Sequence, residues 1–279
     1  MAPRSGRTLH RMPAPALPEP ALPQSGEPGA LLDIDGTRNF RDLGGYVGAG
    51  GRRVRRGLVY RSDHLAFVTD RGVSSIDALG LRTVLDLRMP NERERQPSRL
   101  PPGPVVQHPN PRGADGAAQV EILEEVRAGR VTSVTEQDMA DMYLSMLDEA
   151  TEMFAAVVRA VAAPEALPVL FHCAAGKDRT GLAAALLLRL VGVDDDTIVR
   201  DYELTTHYRS AHRIAELRPE LERVGVSIEA IVSMITAPPA AMRAALAWLD
   251  GVGGVEAYLT ERCDVEPAVL AQVVATLLG

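Results

Sequence analysis

A chain of 279 residues with 46% apolar but only 4% aromatic residues can fill one sizeable core, chiefly with Ala, Leu and Val. A net charge of −7 argues against a nucleic-acid surface as its main business, and two cysteines, Cys173 and Cys263, do not make a disulfide framework and suit a reducing compartment. No apolar run reaches the roughly 18 residues that span a bilayer, and Arg4, Arg7 and Arg11 precede no apolar signal-peptide stretch; a cytoplasmic location is expected, with export by another route left open.

Residues 1–30 read as a disordered Pro/Ala-rich tail, since seven of the twenty prolines fall there. A domain is expected over 31–279. Asn39-Phe40-Arg41-Asp42 leads into a Gly- and Arg-rich stretch, where Arg53, Arg55 and Arg56 form either an anion-attracting patch or a solvated hairpin. Leu58 to Arg61 is a short strand. Thr69 caps a helix to Leu79 whose Val73, Ile76 and Leu79 share a face. Thr83 to Leu87 is a buried strand and Pro104 to His108 another. The pattern weakens after Pro109, and residues 109–150 are read as an insertion, with a lid and a plain surface excursion both open. Gln119 to Ala128 is a candidate short helix within it. Thr135 with Asp138 starts a helix in capping-box fashion, and Met139, Met142, Tyr143, Met146 and Leu147 give it a core face. Pro168 to Phe171 is an apolar strand, Thr180 to Val191 a buried helix, and helical patterns recur from Asp196, from Ser227, over Pro239–Leu249 and over Pro267–Leu278. Strands alternating with helices predict an α/β domain with a mostly parallel central sheet flanked by helices.

The chemistry concentrates between the Pro168 strand and the Thr180 helix, in His172-Cys173-Ala174-Ala175-Gly176-Lys177-Asp178-Arg179-Thr180-Gly181. A loop curling into a helix start turns backbone N–H groups inward and adds the positive end of the helix dipole, which suits a phosphate dianion. Ala174, Ala175 and Gly176 are small enough for the backbone to close around it. Arg179 can grip two of its oxygens in a bidentate fashion. The same field favours the thiolate, the form in which Cys173 would attack. Thr180 can hydrogen-bond the sulfur, and His172 is expected to brace the loop. Lysine and arginine total 30, yet Lys177 is the only lysine, which marks a specific demand for an ammonium there. It is expected to meet substrate phosphate or a neighbouring acidic group. Cys263 reads as a buried bystander.

This segment resembles the signature of the protein tyrosine phosphatase superfamily. More narrowly, it is similar to the atypical bacterial tyrosine/serine phosphatases of the tyrosine phosphatase B type. Asn39-Phe40-Arg41-Asp42, Tyr60-Arg61-Ser62, Asp86-Leu87-Arg88, Asp201-Tyr202 and Gly254-Val255-Glu256-Ala257-Tyr258-Leu259 resemble further landmarks of that group, so the resemblance spans about Asp35 to Gly279. It implies a protein tyrosine phosphatase fold and hydrolysis through a cysteinyl-phosphate on Cys173, with no metal or cofactor. The implied substrate is a phosphorylated protein, phosphotyrosine first, with phosphoserine, phosphothreonine and phosphoinositides as alternatives, and inorganic phosphate is the product. Neither nucleic acid nor an integral membrane segment is expected, and the oligomeric state is open.

The general acid is less settled. No Trp-Pro-Asp tripeptide occurs; Trp248-Leu249-Asp250 comes after the cysteine loop, and Trp248 reads as core. Asp178, which resembles the in-loop aspartate of certain lipid phosphatases, is the first candidate. Asp86 follows a buried strand and is either an acid at the pocket rim or half of a structural ion pair with an arginine. Asp115, in the excursion, is the third. Two other classes compete: a phosphate-recognising module without turnover, disfavoured by the presence of both Cys173 and Arg179, and a rhodanese-like sulfur transferase, disfavoured by Arg179 with Asp178 before it.

Overall fold

The computed structural model describes residues 22–110, 122 and 124–279. Five strands form one sheet: β1 (Arg41–Asp42), β2 (Val59–Ser62), β3 (Thr83–Asp86), β4 (Val105–Gln107) and β5 (Val169–His172), in the order β1-β2-β5-β3-β4. Only β1 is antiparallel to its neighbour, so the sheet is mostly parallel, as the alternation of elements predicts. β2, β3 and β5 are buried along their whole length, which is why β3 and β5 read as continuous apolar runs rather than alternating ones. Central β5 pairs with β2 on one side and β3 on the other, and its last residue, His172, lies opposite both Ser62 and Asp86. The residues that follow His172 therefore emerge between the carboxyl ends of two neighbouring strands, where open parallel sheets leave a crevice for ligands.

The helices are α1 (Asp70–Ala78), α2 (Pro90–Arg95), α3 (Glu136–Glu149), α4 (Thr151–Ala162), α5 (Asp178–Leu190), α6 (Asp195–Thr205), α7 (Ala211–Arg223), α8 (Val232–Ile235), α9 (Pro239–Gly251), α10 (Gly254–Ala257) and α11 (Pro267–Leu278). Thr206–Ser210 and Tyr258–Arg262 are π-helical continuations. The caps follow the sequence: Thr69 accepts from Gly72 N at 3.2 Å, and Thr135 and Asp138 form a reciprocal capping box. α5 begins at Asp178, two residues before the expected start, and is buried except at Arg189. Its first turn thus belongs to the cysteine loop.

The last part of the insertion expected over 109–150 is built into the core. Met139, Tyr143, Met146 and Leu147 of α3 are buried in the main core, where α3 packs against α9 and α5. Asp115 and, of the short helix expected over Gln119–Ala128, residues 119–121 and 123 lie outside the described residues; Ile122 and Glu124–Arg127 are helical, and Val126 is fully buried. Residues 1–21 of the expected tail also lie outside. Residues 22–30 make defined contacts: Tyr208 Oη donates to Gly29 O at 3.1 Å and Arg56 to Gly26 O at 2.9 Å. Arg53 and Arg55 likewise donate to the carbonyls of Gly45 and Thr276, so this arginine cluster holds chain segments together. No single helix among the described residues is long and apolar enough to cross a membrane; a bent pair, Ile228–Ile235 with Pro239–Gly251, reaches that length and apolar composition only when taken together, and α9 turns its apolar face into the core.

Candidate active site

The turn between β5 and α5 closes because Gly176 adopts φ +63°, a conformation that side chains disfavour. A Cβ there would lie 2.6 Å from Ser62 O and 2.7 Å from Asp63 N, both rigid backbone. The Gly176 carbonyl accepts from Asn39 Nδ2 (3.0 Å) and from Arg61 (2.9 Å). Arg61 also pairs with Asp201, whose carboxylate takes Tyr46 Oη at 2.7 Å and whose backbone carbonyl takes Arg41 at 2.9 Å. All of these groups are buried. The landmark residues Asn39, Arg41, Arg61 and Asp201 therefore form the truss that turns the loop carbonyl outward. The N–H groups of Ala174, Ala175 and Gly176 make no hydrogen bond to another described residue, as in a backbone nest that binds anions.

Cys173, Lys177, Asp178 and Arg179 line one cavity of about 180 Å³. Arg179 is 3% exposed and held as a fork: its two terminal nitrogens donate to Glu92 at 2.7 and 3.0 Å, and one also reaches Leu87 O at 3.0 Å. Burial opposes the guanidinium charge, but Glu92 and Cys173 outweigh it and raise its pKa further above the usual range. Burial similarly opposes ionisation of Glu92, and the bonds from Arg179 hold its pKa below the usual value. Arg179 Nε and Thr180 Oγ1 are buried with no partner among the described residues; the bond expected from Thr180 to the cysteine sulfur is not formed.

Lys177 is buried, and its ammonium donates to the carbonyls of Met234 (2.5 Å) and Thr236 (2.9 Å) while lying 3.4 Å from Asp178 Oδ1. It thus meets an acidic neighbour and ties down the α8 segment, which supplies Met234 and Ile235 to the cavity wall. Burial lowers its pKa. Asp178 Oδ1 accepts from Tyr143 Oη at 2.7 Å.

Asp86 is placed differently. It is gripped by Arg88 through Nε at 2.8 Å and a terminal nitrogen at 2.6 Å, and it is not among the cavity-lining residues. Burial pushes against its ionisation, yet the Arg88 bonds and His172 bring its pKa down to about 2. A carboxyl so acidic carries no proton near neutral pH. Of its two sequence readings, the structural ion pair with an arginine describes this geometry, and it is a poor proton donor. His172, expected to brace the loop, is buried at its base: Nδ1 lies 3.3 Å from Cys173 O, Nε2 has no hydrogen bond to a described residue and stands 3.7 Å from Asp86, and burial lowers its pKa to about 4, leaving the imidazole neutral.

Three charged cavity residues went unmarked in the sequence: Glu92 on α2, Arg209 in the π-helical turn and Arg213 on α7. The Glu92–Arg179 pair spans 87 residues, and no local pattern marks it. Arg209 stands 4.0 Å from Asp63, and burial lowers its pKa; Arg213 pairs with Glu216 at 3.2 Å. The two cysteines are free and buried, and burial pushes the Cys263 thiol up to about 11. Trp248 packs edge-on to Tyr258 at 5.8 Å, away from the loop. Among the described residues no cluster of three or more His, Cys, Asp or Glu is arranged to hold a metal.

Comparison with known proteins gives the family. A family model described as the tyrosine phosphatase family matches residues 32–279. A Cupriavidus necator protein named as a tyrosine-protein phosphatase is 32% identical over 246 residues, covering 86% of each chain. The triple specificity protein phosphatase PtpB of Mycobacterium tuberculosis is 33% identical over 251 residues, covering 82% of this chain and 85% of that protein. A tyrosine-protein phosphatase of Nostoc commune is 29% identical over 150 residues, covering 53% of this chain and 48% of its own. With the family model spanning the sheet, the cysteine loop and every helix of the described domain, the chain belongs to the tyrosine phosphatase family.

Proposed function

We propose that the protein hydrolyses phosphomonoesters through a covalent cysteinyl-phosphate on Cys173, with phosphotyrosine in proteins as the first substrate class and phosphoserine and phosphothreonine also accepted. The observation that carries this reading is the convergence of Cys173, Arg179 and a Gly176-closed loop on one cavity. The Cys173 thiolate attacks phosphorus; an S–P bond forms as the ester P–O bond breaks. Arg179, aligned by Glu92, and the loop N–H groups bind the equatorial oxygens in the transition state, where fixed donors contribute most. Asp178 gives its proton to the leaving oxygen. In the second step water attacks phosphorus, Asp178 takes a proton from it, the S–P bond breaks, and phosphate leaves with the thiolate restored. Asp178 is preferred over Asp86 because it lines the cavity.

A second substrate reading, phosphoinositides, draws on Arg209 and Arg213, which extend positive charge along the cavity wall beyond Arg179. The relative named for triple specificity fits a broad range. The test is phosphate release from para-nitrophenyl phosphate in a chelating buffer by wild type and Cys173→Ser, followed by a panel of phosphotyrosine, phosphoserine and phosphoinositide substrates. Turnover lost in Cys173→Ser supports the mechanism; turnover that survives it removes Cys173 as nucleophile.

A further inference from the structure

Asp178 does not reach the cavity unaided. Its Oδ1 lies 2.7 Å from Tyr143 Oη and 3.4 Å from Lys177 Nζ, while Oδ2 has no hydrogen bond to a described residue. Tyr143 Oη is also 2.7 Å from Tyr202 Oη. A phenol has one hydrogen to give. An ionised carboxylate only accepts, so Tyr143 must spend its hydrogen on Asp178, and Tyr202 must be the donor to Tyr143. The chain of bonds therefore has one direction, from Tyr202 on α6 through Tyr143 on α3 to Asp178 at the start of α5. Both rings are almost wholly buried and meet edge to face, 6.0 Å apart at 79°. Burial and the adjacent Asp178 raise the Tyr143 pKa well above the usual phenol value, so it stays a donor at any working pH.

We propose that Tyr143 is a positioning residue for catalysis: by occupying Oδ1 it fixes the rotation of the Asp178 carboxyl and assigns the transferable proton to Oδ2. Lys177 Nζ, which can only donate, faces Oδ1 in either protonation state, so a proton there would meet hydrogen against hydrogen; the acid form carries it on Oδ2 and Tyr143 keeps donating to Oδ1. This rests on the reading of Asp178 as the proton donor. Leaving groups that need a proton should depend on Tyr143, and good leaving groups should hardly do so.

The test compares kcat and KM for phenyl phosphate and para-nitrophenyl phosphate in wild type, Tyr143→Phe, Tyr202→Phe, Asp178→Ala and the Tyr143→Phe/Asp178→Ala double variant. Tyr143→Phe is expected to lower kcat for phenyl phosphate about tenfold, a fraction of what general acid catalysis contributes. The para-nitrophenyl ester should lose several-fold less, with KM little changed for either. Tyr202→Phe, which removes a hydroxyl from the same buried pair but leaves the Tyr143–Asp178 bond, should cost less than Tyr143→Phe. In the Asp178→Ala background Tyr143→Phe should add nothing further, because the two act as one unit. Equal losses for both esters, additive losses in the double variant, or a Tyr202→Phe loss matching that of Tyr143→Phe would overturn the inference while leaving Asp178 as the acid. If Asp178→Ala itself slows both esters alike, the acid reading fails and the inference falls with it.

Discussion

Replacing Glu92 by Gln should damage both the stability of the fold and the rate of the reaction, and added phosphate should repair the first. Glu92 Oε2 accepts from Arg179 at 2.7 Å and from Met89 N at 2.7 Å, and Oε1 accepts from the other Arg179 nitrogen at 3.0 Å. A glutamine that keeps its oxygen at the Oε2 position satisfies the first two donors but turns an NH2 toward the third. One charge-assisted hydrogen bond is lost, about 1.5–3 kcal/mol, and the negative charge that balances Arg179 disappears from a site only 3% exposed at the arginine. Outright removal of a partner from such a buried pair costs roughly 3–5 kcal/mol; the amide, which keeps one bond, should fall near 2–3 kcal/mol. With Arg179 held only by Leu87 O and a single amide oxygen, kcat should drop about ten- to a hundredfold, or about 1.4–2.7 kcal/mol of transition-state stabilisation. A phosphate dianion brings back the missing negative charge, so saturating phosphate should raise the Tm of Glu92→Gln more than that of wild type. Thermal melts with and without phosphate, beside steady-state kinetics, read all three effects. Wild-type kcat in the variant, or equal phosphate-induced gains in Tm, would refute the claim that Glu92 sets the geometry and charge balance of Arg179.

Two further outcomes follow from the same geometry. Gly176→Ala imposes a left-handed backbone on alanine, roughly 1–2 kcal/mol, and drives its Cβ against Ser62 O at 2.6 Å; activity should be lost and the melting temperature should fall, whereas a variant with normal kcat would mean the loop need not hold this turn. Acid should destabilise the protein in two stages. His172 has its pKa lowered to about 4, so the unfolded chain binds the proton first, and roughly 3 kcal/mol present above pH 6.5 is lost as pH falls towards 4. Asp86, lowered to about 2, adds roughly 2 kcal/mol that is lost between pH 4 and 2. Urea unfolding at pH 7, 5 and 4 measures the first stage; burial lowers His64 to about 4 as well, so His172→Gln should shrink this stage without removing it, and equal wild-type stability at pH 7 and 4 would contradict it.

What could be read from the sequence was whatever local chain geometry decides. Small residues, one Gly and a Cys–Arg spacing between an apolar strand and an apolar helix already describe the loop, because the residues that make the turn are the ones proposed to bind the anion. Thr135 with Asp138 specifies a helix start by itself. The boundaries of β2, β3 and α5 moved by one or two residues because sheet pairing and the loop, not propensity, end them. The supporting contacts were hidden because they join distant segments: Glu92 to Arg179, Asn39 to Gly176, Lys177 to Met234 and Thr236. Tyr143 looked like one more core residue of α3, since its helical spacing reports that the ring is buried and not what its hydroxyl meets. Asp86 shows the opposite case, for its partner Arg88 stands two residues away in the chain and the ion-pair reading was available at once.

Covalent catalysis by Cys173 is tested most directly by mixing the enzyme with excess para-nitrophenyl phosphate, quenching in acid within one turnover, digesting, and locating any phosphoryl group by mass spectrometry. One phosphoryl group is expected on the peptide containing Cys173, building up with the burst of nitrophenol, decaying with phosphate release and absent in Cys173→Ser. Turnover with no phosphoryl group on Cys173, or one found on another residue, would contradict it.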